Sequence, residues 1–172
     1  KNEALQVICA VLLTSEPVTI CNIPDIIDAT LLIELLVDLG VKVTHVKEGE
    51  YQFNANRIDI DKINDPVFQK KANKIRGSVM IAGPLLARCN LSFIPKPGGD
   101  KIGRRRMDTH IMGFEKLGVV SEYKQGDGFF KLSTKQLVGA DILLEEPSVT
   151  GTANIILAAV MAKGQTTIYN AA

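Results

Sequence analysis

Hydrophobic and polar positions along the chain repeat one plan, in which an apolar helix is followed by a short strand. Three segments share this plan, at residues 4–23, 78–97 and 153–172. Their strands have the cores VTI, LSF and TTI, which begin at residues 18, 91 and 166. A period of about 75 residues indicates one supersecondary unit copied around a shared core. We therefore expect units at about 1–55, 74–145 and 146–172, the last incomplete.

The first two copies continue with a second helix and a hairpin. The second helices are predicted at residues 30–39 and 109–117. Asp28 and Asp108 are predicted as their N-caps, and the glycine of a Leu-Gly-Val sequence ends each of them. The hairpins are predicted at residues 42–54 and 121–132, with turns at 48–50 and 125–128.

The first helix of a copy differs in polarity from the second. The sequences LQVICAVLL and NIILAAVMA lack the polar face of a surface helix, so these helices are predicted to be buried on most sides and enclosed by sheets. The stretch 54–73 is rich in Asp, Asn and Lys and is predicted to be a surface linker.

Composition adds limits on size and partners. With 172 residues, 46% of them hydrophobic, the chain can bury a sizeable core as one domain. A formal net charge of +1 argues against a nucleic-acid or acidic-membrane partner. The longest apolar run, 155–162, is too short to cross a bilayer. Cys9, Cys21 and Cys89 lack paired spacing, so we expect buried, reduced thiols in a cytoplasmic protein.

Residues 96–110, KPGGDKIGRRRMDTH, carry the strongest chemical signal. The glycine pair allows a ligand to approach the backbone closely. Arg104, Arg105 and Arg106 offer forked donors that match phosphate and carboxylate, directly before a helix start that favours negative charge. The sequence therefore predicts a site for a small anion beside the acid Asp100.

Four features in this order resemble one family over the whole chain. They are Lys1-Asn2 opening the first helix, Arg76 before the second apolar helix, the loop PGGDKIGRRRMDTH, and Ser148-Val149 before the third apolar helix. The chain thus resembles the UDP-N-acetylglucosamine enolpyruvyl transferases, the MurA family. The resemblance implies an inside-out α/β barrel of βαβαββ units, with the third unit truncated here, and a partner domain elsewhere in a longer protein.

The resemblance also implies a reaction in the bacterial cytoplasm. The enolpyruvyl group of phosphoenolpyruvate moves to the 3′-hydroxyl of UDP-N-acetylglucosamine, and phosphate leaves through a tetrahedral intermediate in the first committed step of peptidoglycan synthesis. No cofactor or metal is expected. The catalytic residues implied are Asp100, Lys1 and Arg105. The substrate-binding residues implied are Lys1, Asn2, Arg76, Arg105, Arg106, Met107, Asp108, Thr109, Ser148 and Val149.

Two positions depart from the family pattern. Asp100 stands where the best-known members carry the cysteine that protonates the methylene carbon of phosphoenolpyruvate. A carboxylic acid can do this if it stays protonated, and our hypothesis is that the bound anionic substrate keeps it so; a pH–activity profile without this acid would contradict it. A carboxylate is a poor nucleophile towards fosfomycin, so we predict insensitivity, which covalent labelling of the loop would contradict. Glu146-Pro147 replaces a lysine of some members.

Ordinary structural interpretations also apply to these residues. The arginines could form surface ion pairs, Asp108 could serve as a cap alone, and Asp100 could be a turn aspartate. Surface positions are an alternative for Lys1 and Lys101, and helix capping for Ser148, Thr150 and Thr152. The two histidines, His45 and His110, have no acid or thiol at ligand spacing, so we expect no metal site and assign His110 to orienting the loop.

Two other functions remain open at this point. The shikimate-pathway enolpyruvyl transferase has the same barrel, although the loop favours the sugar-nucleotide enzyme. A non-catalytic anion or nucleic-acid binding module could use the three arginines. The near-neutral charge and an aromatic content of 5% count against that module, because single-stranded nucleic acid is bound by basic grooves with aromatic stacking.

Overall fold

The computed structural model describes residues 1–94, 107–124 and 129–172, which divide into a first unit, residues 1–78, and a second unit from residue 79 onward. The first unit contains three helices, α1 (Asn2–Ala10), α2 (Ile27–Asp38) and α3 (Pro66–Ala72). Its strands are β1 (Val18–Ile20), β2 (Lys42–Lys47) and β3 (Glu50–Asn54). Short 3-10 helices cover Val11–Leu13 and Ile60–Asn64, and another, Arg76–Ile81, crosses the boundary between the units.

The described residues of the second unit repeat this plan and extend it. The helices are α4 (Ala82–Cys89), α5 (Asp108–Lys116) and α6 (Val149–Ala159). The strands are β4 (Leu91–Ile94), β5 (Val120–Lys124), β6 (Phe129–Ser133), β7 (Asp141–Leu143) and β8 (Thr167–Tyr169).

The two hairpins build sheets of the same topology. The first sheet has the antiparallel order β1-β3-β2 and the second the antiparallel order β4-β6-β5. In each, the strand after the apolar helix pairs with the second strand of the hairpin. The predicted hairpin strands are confirmed, as is the turn at Gly49; the second predicted turn, 125–128, lies outside the described residues. Strands β7 and β8 pair in parallel, and β8 begins one residue later than predicted.

The Leu-Gly-Val sequences end α2 and α5 with the same backbone motif. Gly40 and Gly118 take φ values of 92° and 88°, which a residue with a Cβ adopts at a cost. The following Val41 N–H donates to Leu36 O at 3.0 Å, and Val119 N–H donates to Phe114 O at 3.1 Å. These six-to-one bonds define a Schellman motif in both copies, so the predicted helix stops are confirmed.

The predicted caps of these two helices are wrong. Ile26 and Met107 occupy the N-cap positions, and neither makes a side-chain capping bond. Asp28 and Asp108 lie in the first turn, two residues and one residue after the N-cap, where a carboxylate still interacts favourably with the helix dipole. Helix α2 therefore starts three residues earlier than predicted.

The surface position predicted for residues 54–73 holds for most of them, but the stretch also contributes to the core of the first unit. Ile63 and Phe68 are 0% and 2% exposed. Asp65 caps α3 by accepting from Val67 N–H at 2.8 Å. On the outer side, Lys71 Nζ lies 2.5 Å from Asp38 Oδ2, and this hydrogen bond raises the pKa of Lys71. A few apolar side chains among polar neighbours are enough to pack α3 against α2.

The second unit is built around α6, which packs against both α4 and α5. Glycines allow this approach: a Cβ at Gly83 would lie 2.3 Å from Asn154 O, and one at Gly113 would lie 2.2 Å from Ile155 Cδ1. The burial predicted for residues 154–162 is right only in part, because Ile156, Val160 and Met161 are 47%, 60% and 48% exposed.

The cysteine prediction is right in part. Cys9 is buried in α1, Cys89 is half-buried and Cys21 is exposed. No disulfide joins these thiols. The exposed position of Cys21, after an edge strand, corrects the prediction that all three are buried.

Candidate active site

The predicted site residues of the first unit lie at helix starts. Lys1 occupies the N-cap position of α1, and Asn2 is the first helical residue. Lys1 Nζ forms an ion pair with Asp28 Oδ2, while 58% of the Lys1 side chain remains exposed. Arg76 is half-buried at the start of its 3-10 helix. The ion pair joins the starts of α1 and α2 and holds a lysine ammonium group in contact with solvent.

In the second unit the structure brings together the predicted residues that flank α5 and α6. Met107 is the N-cap of α5, and Thr109 is in its first turn. A Cβ built on Gly151, in the first turn of α6, would lie 2.8 Å from Thr109 Cγ2. His110 Nε2 lies 3.5 Å from Thr150 Oγ1. The N-terminal turns of two helices are therefore in contact, and each brings the positive end of a helix dipole.

Ser148 confirms the predicted capping role. Its Oγ accepts from Gly151 N–H at 3.1 Å, while the exposed Val149 follows as the first helical residue. The other two predicted hydroxyl caps bond elsewhere: Thr152 Oγ1 accepts from Ala172 N–H at 3.2 Å. The Ser148 hydroxyl oxygen thus accepts from one N–H group of the α6 N-terminus, and the Ser148 side chain is half-buried at the surface.

Below these turns lies a buried polar cluster that the sequence analysis did not identify. Asn154 is 0% exposed and His110 is 1% exposed, and Asn154 Nδ2 lies 3.1 Å from His110 Nδ1. The Asn154 amide also bonds to the backbone of Val79 and Gly83. A single amide in the otherwise apolar sequence NIILAAVMA was the available signal, because such a group must find partners inside the protein.

Several predicted residues lie outside the described part of the chain. They are Asp100, Lys101, Arg104, Arg105 and Arg106, with the preceding glycine pair. Glu146, at the position of the family lysine, is described and exposed. Within residues 1–94, 107–124 and 129–172, no three His, Cys, Asp or Glu side chains are arranged to hold a metal ion. Over the same residues, every helix is too short or too polar to pass through a membrane.

The described part of this site suits an anion. Two helix starts lie side by side, and their outer positions carry a hydroxyl and a small exposed apolar side chain, from Ser148 and Val149. Asp108 is exposed on the first turn of α5, where its carboxylate can accept from a ligand hydroxyl or amide. The arrangement can therefore bind a ligand that combines negative charge with hydrogen-bond donors.

Solved structures with the same fold are enolpyruvyl transferases. The chain superposes on the enolpyruvyl transferase NikO of Streptomyces tendae with a TM-score of 0.79 and 18% identity, covering 97% of this chain and 38% of that one. EPSP synthase of Acinetobacter baumannii gives a TM-score of 0.71 and 17% identity, with coverages of 98% and 38%. The predicted enolpyruvyl transferase-like fold is confirmed.

The family follows from the sequence comparison. The model of the family EPSP synthase (3-phosphoshikimate 1-carboxyvinyltransferase) matches residues 1–172, and the chain belongs to this family. Curated relatives named UDP-N-acetylglucosamine 1-carboxyvinyltransferase are 52% identical in Bacteroides fragilis, 49% in Porphyromonas gingivalis and 41% in Treponema pallidum. These matches cover 100% of this chain and 39–40% of each relative. The predicted MurA resemblance is thus confirmed, and the chain spans about two fifths of the length of these relatives.

Proposed function

We propose that the protein to which this chain belongs transfers the enolpyruvyl group of phosphoenolpyruvate to the 3′-hydroxyl of UDP-N-acetylglucosamine, with release of phosphate. The observation that carries this proposal is the identity of 52% over all 172 residues to a relative named for that activity. Structures of shikimate-type enzymes share the fold at 17% identity, a level that indicates architecture and not substrate.

The reaction needs a proton donor and fixed positive charge. Addition of the sugar hydroxyl to C2 of phosphoenolpyruvate is accompanied by protonation of C3, and the tetrahedral intermediate then loses phosphate and a C3 proton. Asp100 is the proposed donor. Lys1 and Arg105 are the proposed cations that stabilise the carboxylate and phosphate of the substrate. The exposure of the Lys1 side chain is compatible with this role, and its pairing with Asp28 limits its conformations.

The sugar nucleotide is assigned to the helix starts of the second unit. Asp108, Thr109, Ser148 and Val149 flank the two N-terminal turns, and Arg106 and Met107 precede one of them. Asn2 and Arg76 complete the proposed contacts. A diphosphate gains from the dipoles of both helices and from the adjacent arginine run.

A second domain is part of the proposal. The relatives extend well beyond the 172 residues matched here, by enough chain for another domain of similar size. We propose that this chain forms one domain of βαβαββ repeats, of which the third is truncated, and that the rest of a bacterial cytoplasmic protein closes over the substrates. Closure of two domains excludes water from the reacting groups.

The test is phosphate release from phosphoenolpyruvate by the full-length protein, with UDP-N-acetylglucosamine, with shikimate 3-phosphate, and with neither. We expect release that depends on the sugar nucleotide. Asp100→Asn should lower kcat by about 10²- to 10⁴-fold, the usual contribution of a general acid. Asp141→Asn, which removes an exposed carboxylate on β7, is the matched control. Release with shikimate 3-phosphate alone would assign the other substrate, and full activity of Asp100→Asn would remove Asp100 as the donor.

The position of Glu146 gives a test of the nucleotide site. Glu146→Lys restores a cation at the exposed segment before α6 and should lower KM for the sugar nucleotide about two- to fivefold, as expected for one surface charge near a helix start. Glu145→Lys adds the same charge one residue away and serves as the control. Equal effects of both variants would show that the added positive charge acts through the general electrostatic field and not through a contact of residue 146 with the sugar nucleotide.

A further inference from the structure

The side-chain amide of Asn154 has an orientation that its backbone partners determine. Its Nδ2 donates to Val79 O at 2.9 Å, and its Oδ1 accepts from Gly83 N–H at 2.8 Å. A carbonyl oxygen can accept but not donate, and a backbone N–H can donate but not accept. The amide nitrogen must therefore face Val79. In the reversed orientation the amide nitrogen would face the Gly83 N–H, which is also a donor, and the amide oxygen would face Val79 O, which is also an acceptor.

The third partner of the amide is His110. Its Nδ1 lies 3.1 Å from Asn154 Nδ2, which has a second hydrogen left after the bond to Val79. Since an amide nitrogen only donates, Nδ1 must accept. In the neutral ring the proton then lies on Nε2. We infer that Asn154 is a positioning residue that holds His110 as the Nε2–H tautomer.

The tautomer of His110 affects the hydrogen bonding of Thr150, where the starts of α5 and α6 meet. His110 Nε2 lies 3.5 Å from Thr150 Oγ1, so the N–H of this tautomer points towards a hydroxyl in the first turn of α6. A hydroxyl that accepts from Nε2–H keeps its own proton to donate. The opposite tautomer would instead make Thr150 donate to Nε2 and leave no hydroxyl proton for a ligand.

One side chain thus joins the beginnings of three helices. Asn154 lies in the second turn of α6, Gly83 is in the first turn of α4 and His110 is in the first turn of α5. The tautomer is a property of the folded chain, whereas its effect on ligand binding rests on the proposed function. The tautomer is tested by nitrogen chemical shifts, and its effect on ligand binding is tested by steady-state kinetics.

Imidazole nitrogen shifts measured with ¹⁵N-histidine labelling test the tautomer. In the full-length protein near neutral pH we expect the shift of an unprotonated nitrogen at Nδ1 and of an N–H at Nε2. The His110 signals are those lost in His110→Gln. His45, exposed on β2, is the internal reference for a ring outside the cluster. An Nδ1–H signal in the unmodified protein would overturn the inference, whatever any variant does.

Asn154→Asp tests the cause. The aspartate keeps an acceptor for Gly83 N–H but replaces the donor that faces His110, so we expect the proton to move to Nδ1. Thr150→Val removes the partner at Nε2, leaves Asn154 in place, and should retain the Nε2–H tautomer. A folded Asn154→Asp protein with an unchanged tautomer would overturn the role of Asn154.

Steady-state kinetics test the effect on the site. Asn154→Asp should raise KM for the sugar nucleotide about tenfold, the factor for one lost hydrogen bond of about 1.4 kcal/mol, with a smaller change in kcat. A changed tautomer with unchanged KM would overturn the positioning role and leave the proposed function standing. Failure of the proposed function would appear separately, as no sugar-dependent phosphate release by the unmodified protein.

Discussion

Gly83→Ala is expected to destabilise the protein, although alanine is the better helix former. Gly83 is in the first turn of α4, where that helix packs against α6. An added Cβ would lie 2.3 Å from Asn154 O and 2.7 Å from Asn154 Oδ1. The first of these atoms belongs to the backbone of α6, so it cannot move aside by a rotation about a side-chain bond. The helices must separate.

The size of the effect follows from three contributions. Replacing glycine by alanine inside a helix stabilises by up to about 1 kcal/mol. Overpacking against a rigid neighbour costs about 1–3 kcal/mol. Separation also weakens the bond from Gly83 N–H to Asn154 Oδ1, and a buried amide left unsatisfied costs about 1–3 kcal/mol more. A net loss of about 3 kcal/mol corresponds to a melting temperature lower by about 6–12 °C.

Thermal and urea unfolding followed by circular dichroism measure this loss. Gly77→Ala is the matched control, because its Cβ would lie 2.9 Å from Leu5 Cδ1, the mobile end of a side chain, and should change stability by less than about 1 kcal/mol. Equal stability of Gly83→Ala and the unmodified protein would refute the close packing of α4 on α6.

Three further outcomes can be measured on the same protein. Gly118→Ala should lower the unfolding free energy by about 1–2 kcal/mol because of the positive φ, and Gly118→Asn by less; equal losses in urea would contradict this. The hydrogen bond from Val67 N–H lowers the pKa of Asp65 in the folded protein. The folding free energy that Asp65 contributes, relative to Asp65→Ala, should therefore be complete above pH 3.8 and decrease as the pH falls through the lower folded-state pKa. Urea midpoints of both proteins at pH 7 and pH 3 would show this. The hydrogen bond to Glu50 raises the pKa of the Cys21 thiol and burial raises that of Cys9, but only Cys21 is exposed, so a maleimide should label Cys21 first; mass spectrometry after brief labelling shows the order.

Local signals predicted the features that depend on neighbouring residues. The Leu-Gly-Val stops, the hairpin at Gly49 and the cap at Ser148 each need only a few adjacent positions, and the structure has all three. The caps of α2 and α5 were wrong because a carboxylate in the first turn has the same sequence signature as one at the N-cap.

The sequence did not predict the features that depend on residues distant in the chain. The packing of Phe68 in the first core needs the position of α2, although the pair Asp65-Pro66 is a typical helix start that could have revealed α3. The partners of Asn154 are 44 to 75 residues away in the chain. A sequence shows that such an amide needs partners, but tertiary packing alone decides which ones.

The parallel pairing of β7 with β8 has a consequence for the order of folding. Residues 144–166, with α6 among them, separate these strands, whereas two-strand hairpins close over turns of a few residues. Non-local pairing requires a larger loss of chain entropy before any contact compensates it. The helix start that carries Ser148 is therefore expected to reach its final position after both hairpins, so a chain still being synthesised acquires its two three-stranded sheets before the proposed ligand site forms.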